Sequence, residues 1–172
     1  MFQRYILLST LIAIVTSVGA VSILATSVYA QEQKFSASLS GSQEVPPNTS
    51  TAKGWAWLKP MGDTVWYKVN ATGIDKVTMA HIHNAKTGEN GDPIAMLQIA
   101  KSSGPTLAQG NITGSDLMGS LAGKSIADLV AKMQSGETYV NVHTDANPNG
   151  EIRGQIEMAN ATMMSNSTIT AK

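Results

Sequence analysis

Three histidines, His81, His83 and His143, are the only imidazoles in the chain. All three fall in two short stretches, Met79-Ala80-His81-Ile82-His83 and Tyr139-Val140-Asn141-Val142-His143-Thr144-Asp145. If both stretches are strands, side chains two apart share a face, so His81 and His83 project together with Cα atoms roughly 6.5–7 Å apart. Two imidazoles so placed can close on one ion at about 2.0–2.1 Å. In each stretch the apolar residues, Ala80 and Ile82 in the first and Val140 and Val142 in the second, alternate out of phase with the histidines. With the apolar set turned to a core, all three histidines lie on the opposite face, and they converge if the two strands are neighbours. The chemistry this predicts is metal binding, with copper or zinc as the ion, because three imidazoles without a thiolate suit both.

A fourth coordination position is open to water, Asp145 or Glu151, and would permit Lewis-acid hydrolysis or, with copper, redox chemistry. Met79 lies on the histidine face and offers a soft thioether that would favour reduced copper, although packing is the commoner role of a strand methionine. Glu151 and Arg153 share a strand face and are expected to pair with each other or to fix the histidine strand. Glu151 or Asp145 is alternatively placed to orient an imidazole by accepting its second N–H. The competing reading gives each histidine its own separate hydrogen bond, on a non-catalytic cell-surface binding or adhesion module whose partner is a protein or a glycan.

The elements that must position these residues are mostly strands. Alternating or β-rich runs at 35–39, 52–58, 64–71, 77–83, 94–99, 107–113, 139–144 and 152–158 are separated by clusters of Gly, Pro, Asn, Asp and Ser. The second and third runs read as a hairpin about a turn at 59–63. In the third, Val65, Tyr67 and Val69 share one face, and Thr64, Trp66, Lys68 and Asn70 the other. Trp55, Trp57 and Trp66 form an aromatic cluster, better suited to a packed second face or a partner contact than to a sugar platform. Residues 84–93 make a loop directly after the first histidine strand, where ligand-binding groups are often carried. One helical pattern stands out: Ser125 as cap, Ile126, Leu129, Val130 and Met133 at helical spacing, and Gly136 as terminator. The fold class predicted is all-β, an antiparallel sandwich or barrel with one short helix.

Composition narrows the function. The 172 residues carry 12 basic and 12 acidic side chains, with none of the basic bias that nucleic-acid binding requires. No cysteine is present, which removes disulfides, thiolate metal sites and cysteine nucleophiles. Neither a serine-nucleophile motif nor a phosphate-cradling loop nor a nucleotide fingerprint occurs, and nothing singles out a carboxylate pair. Residues 5–30 hold no charge and follow Arg4. Residues 1–30 are therefore expected to be a signal peptide, cleaved after Ala30, or an uncleaved N-terminal membrane anchor. Either places the domain of residues 31–158 outside the cytoplasm, secreted or held on the outer face of the membrane. Residues 159–172 are expected to be a disordered polar tail. Five glycosylation sequons, at Asn48, Asn70, Asn111, Asn160 and Asn166, fit an exported glycoprotein.

Three motifs in order carry a resemblance. They are Phe35-Ser-Ala-Ser-Leu-Ser-Gly-Ser-Gln-Glu-Val-Pro-Pro47, Met79-Ala-His-Ile-His83, and Tyr139-Val-Asn-Val-His-Thr-Asp-Ala-Asn-Pro-Asn-Gly-Glu-Ile-Arg-Gly-Gln-Ile156. Together they resemble the CHRD (chordin) domain family over about residues 35–158. The resemblance implies an extracytoplasmic β-sandwich of immunoglobulin-like character, repeated in chordin and found as single exported domains in microbes. Chordin's antagonism of growth-factor signalling does not carry over to a lone domain. A fainter similarity reaches copper/zinc superoxide dismutase, where a His-x-His strand and a later histidine hold copper. His81, His83 and His143 match that order. The metal-bridging histidine and the disulfide of that family have no counterpart here, so the similarity does not imply a complete dismutase site; the metal-site reading is of copper, above all, on an exported sandwich, serving redox protection, copper handling or an uncharacterised oxidation.

Overall fold

Alternation of apolar and polar residues dictates most of the chain. The computed structural model describes residues 33–100 and 105–159; the expected leader, the tail beyond residue 159 and the sequons Asn160 and Asn166 lie outside the described residues. The strands are β1 (Phe35–Ser40), β2 (Lys53–Met61), β3 (Thr64–Thr72), β4 (Val77–Asn84), β5 (Pro93–Met96), β6 (Thr106–Ile112), β7 (Thr138–Thr144), β8 (Ile152–Gln155) and β9 (Glu157–Met158), with the helix α1 (Ile126–Gln134) between β6 and β7. They form one antiparallel sheet in the order β5-β4-β7-β8-β1-β2-β3-β6, with β9 paired to β1.

The two ends of this sheet come together. Past β5 the chain stays on β4 through Leu97 N–H donating to Ala80 O at 2.9 Å, then bridges to β6 at Ile99↔Ala108, with Ala100 N–H donating to Leu107 O at 2.8 Å. The expected sandwich or barrel therefore takes its barrel form, which leaves little free edge for aberrant strand pairing. Inside sit the apolar sets of the strands, among them Phe35, Leu39, Leu58, Tyr67, Ile82, Val140, Val142 and Ile152, all fully buried.

Local chemistry sets the boundaries. The β2–β3 turn contracts to Gly62-Asp63, with Gly62 at φ 60°, because a two-residue hairpin needs a left-handed first position. Residues 59–61, expected in the turn, thereby extend β2. The expected last strand splits: β8 pairs with β7 and β9 with β1, and between them Ile156 is buried and donates its N–H to Thr138 O at 2.9 Å. The helix follows expectation. Ser125 and Asp128 form a capping box, Ile126, Leu129 and Met133 are buried, and Gly136 ends it at φ 69°. Burying Leu129 and Met133 contributes about 1.5–3 kcal/mol each, which fastens the helix to the barrel.

Candidate metal centre

Strand β4 supplies His81 and His83, and its neighbour β7 supplies His143. The register pairs Met79 with His143, His81 with Asn141 and His83 with Tyr139, so all six side chains share the face opposite the core. The His81–His143 ring centroids are 5.3 Å apart, His81–His83 5.6 Å and His83–His143 5.7 Å. Each ring offers one nitrogen, and the three nitrogens lie within 4.8 Å of one another. The structure thus brings together all three histidines that the sequence singles out. It also buries them: His81, His83 and His143 are 7%, 8% and 7% exposed.

Each histidine strand runs into a loop that folds back to hold its own imidazole. His83 Nδ1 lies 2.8 Å from Gly91 O, and His143 Nδ1 lies 3.0 Å from Pro148 O. A carbonyl can only accept, so we assign the proton to Nδ1 in both rings, which leaves the Nε2 lone pair free. Those two Nε2 atoms, with Nδ1 of His81, are buried and bond nothing among the described residues. A buried unpaired nitrogen costs about 1–3 kcal/mol, and three in one place are relieved together by one cation. Protonation cannot relieve them. Burial, with the neighbouring His143 and His83, pushes His81 down to about 4, and burial also lowers His83 and His143. At neutral pH the rings are therefore uncharged, the form that ligates a metal.

A polar layer supports the cluster, in which Arg153 fixes the histidine strand β7 as its strand face suggests, joined by Tyr139, Asn141 and Glu44, which carry no such pairing signal. The Tyr139 ring stacks on His83 at 4.9 Å and 13°. Its hydroxyl accepts from Gly91 N–H at 3.3 Å, and the Arg153 guanidinium lies 3.6 Å from its centroid. Arg153, 2% exposed, donates to Asn90 Oδ1 at 3.1 Å and Glu89 O at 2.9 Å, fastening the loop that carries Gly91. Glycine is required at position 91, because a Cβ there would collide with the Asn84 carbonyl. Glu44 is buried beside this layer. Burial pushes its carboxyl up to about 7, against the opposing pull of Arg153 and a hydrogen bond from Asn141. Tyr139 and Asn141 were legible in principle, since they share the phase of His143. Glu44 arrives from a distant loop and left no periodic signal.

Several expectations are corrected. Glu151 and Arg153 do not pair: Glu151 accepts from Thr144 Oγ1 at 2.6 Å and Ser50 Oγ at 2.8 Å. Neither Glu151 nor the exposed Asp145 orients an imidazole; backbone carbonyls do. Met79 is not a packing methionine, being 45% exposed. Trp55, Trp57 and Trp66 are partly exposed on the outer face of β2–β3, with Trp55 and Trp57 tilted at 6.2 Å. Of the three described sequons, Asn111 is exposed. Asn48 is engaged, its Nδ2 donating to Gly150 O at 3.2 Å and Glu151 O at 3.0 Å, and Asn70 is partly buried.

The family model described as the CHRD domain matches residues 35–156, a span containing every residue of the histidine cluster and its supporting layer. Chordin from Xenopus laevis is 28% identical over 145 residues, covering 81% of this chain and 14% of that protein. The chain thus spans a small fraction of the length of this curated relative. No solved structure matches.

Proposed function

This chain belongs to the CHRD domain family, and from that premise we propose that it is an exported domain that binds one copper or zinc ion through His81, His83 and His143. One observation carries the reading: three buried imidazoles that each bring one ring nitrogen within 4.8 Å of the others, and that each keep one buried ring nitrogen without a partner among the described residues. Nothing in the packing of a plain binding module calls for that arrangement, whose unpaired nitrogens are a cost without an ion. The ion would take the three ring nitrogens at about 2.0–2.1 Å after a small inward closure. The leader-like residues 1–30 support a site outside the cytoplasm, in a setting where copper handling or redox protection is useful.

A second reading rests on a different face. Outside β2 and β3 the three tryptophans alternate with Lys53, Lys59 and Lys68, and none of the residues of β1, β2, β3 and β6 is acidic. That surface suits an acidic protein or glycan partner of the kind a family of extracellular modules would meet. The two readings are compatible, because they use the outer faces of different strand pairs, β4–β7 and β2–β3, with β8 and β1 between them.

Titration of the full chain with zinc(II) and copper(II) tests the metal site. We expect one equivalent of either ion, with affinity lowered at least about 100-fold in His143→Ala, while circular dichroism stays unchanged. Equal affinity in wild type and variant removes His143 from the site and the proposal with it.

A further inference from the structure

Exposed methionines are ordinarily scattered and need no explanation. Here two of them are not scattered. Met79, 45% exposed, is the cross-strand partner of His143, and Met96, 41% exposed, is the cross-strand partner of His81. Directly opposed antiparallel residues project to the same face with Cβ atoms about 4.5–5.5 Å apart. Met79 is also two residues before His81 on β4, so its side chain stands next to two of the three histidines at once. Met96 flanks His81 from the other side, on β5.

The burial of the two residue types is opposite. The unpartnered nitrogens of the three histidines are closed off from solvent, whereas both methionine side chains reach it. A cation coming from solvent therefore meets thioethers before imidazoles. An unbranched methionine has three rotatable bonds with which to follow an ion inward. Thioether sulfur is a soft ligand that favours copper(I) and adds little to zinc, while neutral imidazole accepts both.

We propose that Met79 and Met96 receive copper(I) at the solvent side of the histidine cluster and make this site select copper(I) over zinc(II). The proposal rests on the metal-binding reading of the three histidines and adds the identity of the ion and its route in. No change of oxidation state is involved: the ion arrives as copper(I) and exchanges carrier ligands for thioether and imidazole.

The test is anaerobic titration of the full chain with copper(I), in competition with a copper(I) chelator, alongside zinc(II) titration. The chains compared are wild type, Met79→Leu/Met96→Leu and His143→Ala. Leucine preserves the volume at both exposed positions, so folding is not at issue. Copper(I) affinity is expected to fall at least about tenfold in the double variant while zinc(II) affinity stays within about twofold, and X-ray absorption of the copper(I)-loaded wild type should show a sulfur neighbour that the double variant lacks. Unchanged copper(I) affinity, or a first shell of nitrogen alone in wild type, overturns the proposal. Zinc(II) binding that depends on His143, without copper(I) binding, overturns it too and leaves the histidine site standing. Failure to bind either ion brings down both.

Discussion

The outer faces of β4–β7 and of β2–β3 have the same strand alternation and opposite fates. On β7, Tyr139, Asn141 and His143 alternate with Val140 and Val142, and every residue of the strand is buried. On β2, Trp55 and Trp57 alternate with Ala56 and Leu58, yet the tryptophans stay partly exposed. Polarity is not the cause, since the more apolar set is the one left open. The difference lies in what covers each face. The loops after β4 and β7 fold back and place Gly91 and Pro148 on His83 and His143, while the β2–β3 connection is a two-residue turn that can cover nothing. Loop length decides which alternating strand face becomes interior, and a polar face that is covered has to be satisfied group by group.

The largest effect should come from removing the latch of the covered face. Arg153 holds Asn90 and Glu89, lies over Tyr139 and opposes the charge of Glu44. Arg153→Ala leaves Glu44 buried without its cation and frees the loop bearing Gly91. Loss of one member of a buried charged network costs about 3–5 kcal/mol. Urea unfolding at pH 8, where Glu44 is charged, should show a loss of that size. A loss under about 1 kcal/mol would mean that the loop holds itself and that the latch is incidental.

This dependence on loops also explains what was legible in the sequence. The strands, the capped helix from Ser125 to Gly136 and the shared face of His81, His83 and His143 follow from periods of 2 and 3.6, which the chain states locally. Burial of that face does not, because it depends on where the turn-rich segments 41–50, 84–93 and 145–150 settle. Glu44 joins the layer from a loop preceding β2, and Arg153 bonds to a loop some 63 residues earlier. The acceptors that orient His83 and His143 are the main-chain carbonyls of Gly91 and Pro148, which any residue type supplies, so no side-chain type marks them in the sequence as it marks Glu151 and Asp145. Met96 carries no local signal, because strand β5 is short and its register to His81 is a property of the sheet.

A smaller effect should appear in the pH dependence of the metal-free protein, and it should be confined to the covered face. His81, lowered to about 4, binds fewer protons in the folded than in the unfolded chain between about pH 4 and 6.5. Its contribution is thus intact above about pH 6.5 and is lost as pH falls towards 4. Glu44, raised to about 7, does the reverse: its contribution is intact below about 4.5 and is lost as pH rises through 7. Glu44 thus offsets His81 between pH 4.5 and 6.5 in wild type, while His83 and His143, also lowered by burial, add to the His81 slope. In Glu44→Gln the carboxyl part vanishes, so stability should climb by on the order of 2 kcal/mol from pH 4 to 6.5, given about 1.4 kcal/mol per pKa unit. Parallel wild-type and variant curves would show that Glu44 is not the opposing group.

The smallest effect belongs to the open face. Trp57 stands on β2 opposite Lys68, beside Trp55 at 6.2 Å and partly in solvent. Trp57→Ala removes one tilted aromatic contact and some half-exposed area, so the expected cost is about 1 kcal/mol, well short of the about 3–5 kcal/mol of a buried aromatic. Zinc(II) affinity should not change, because β8 and β1 lie between β2 and the histidine strands in the sheet. Affinity for an acidic polysaccharide or protein ligand, by contrast, should fall if this face is a contact surface. A cost near 4 kcal/mol, or a shift in metal affinity, would show that the β2–β3 face is packed and coupled to the site. The contrast between a covered face and an open one would then be a difference of degree only.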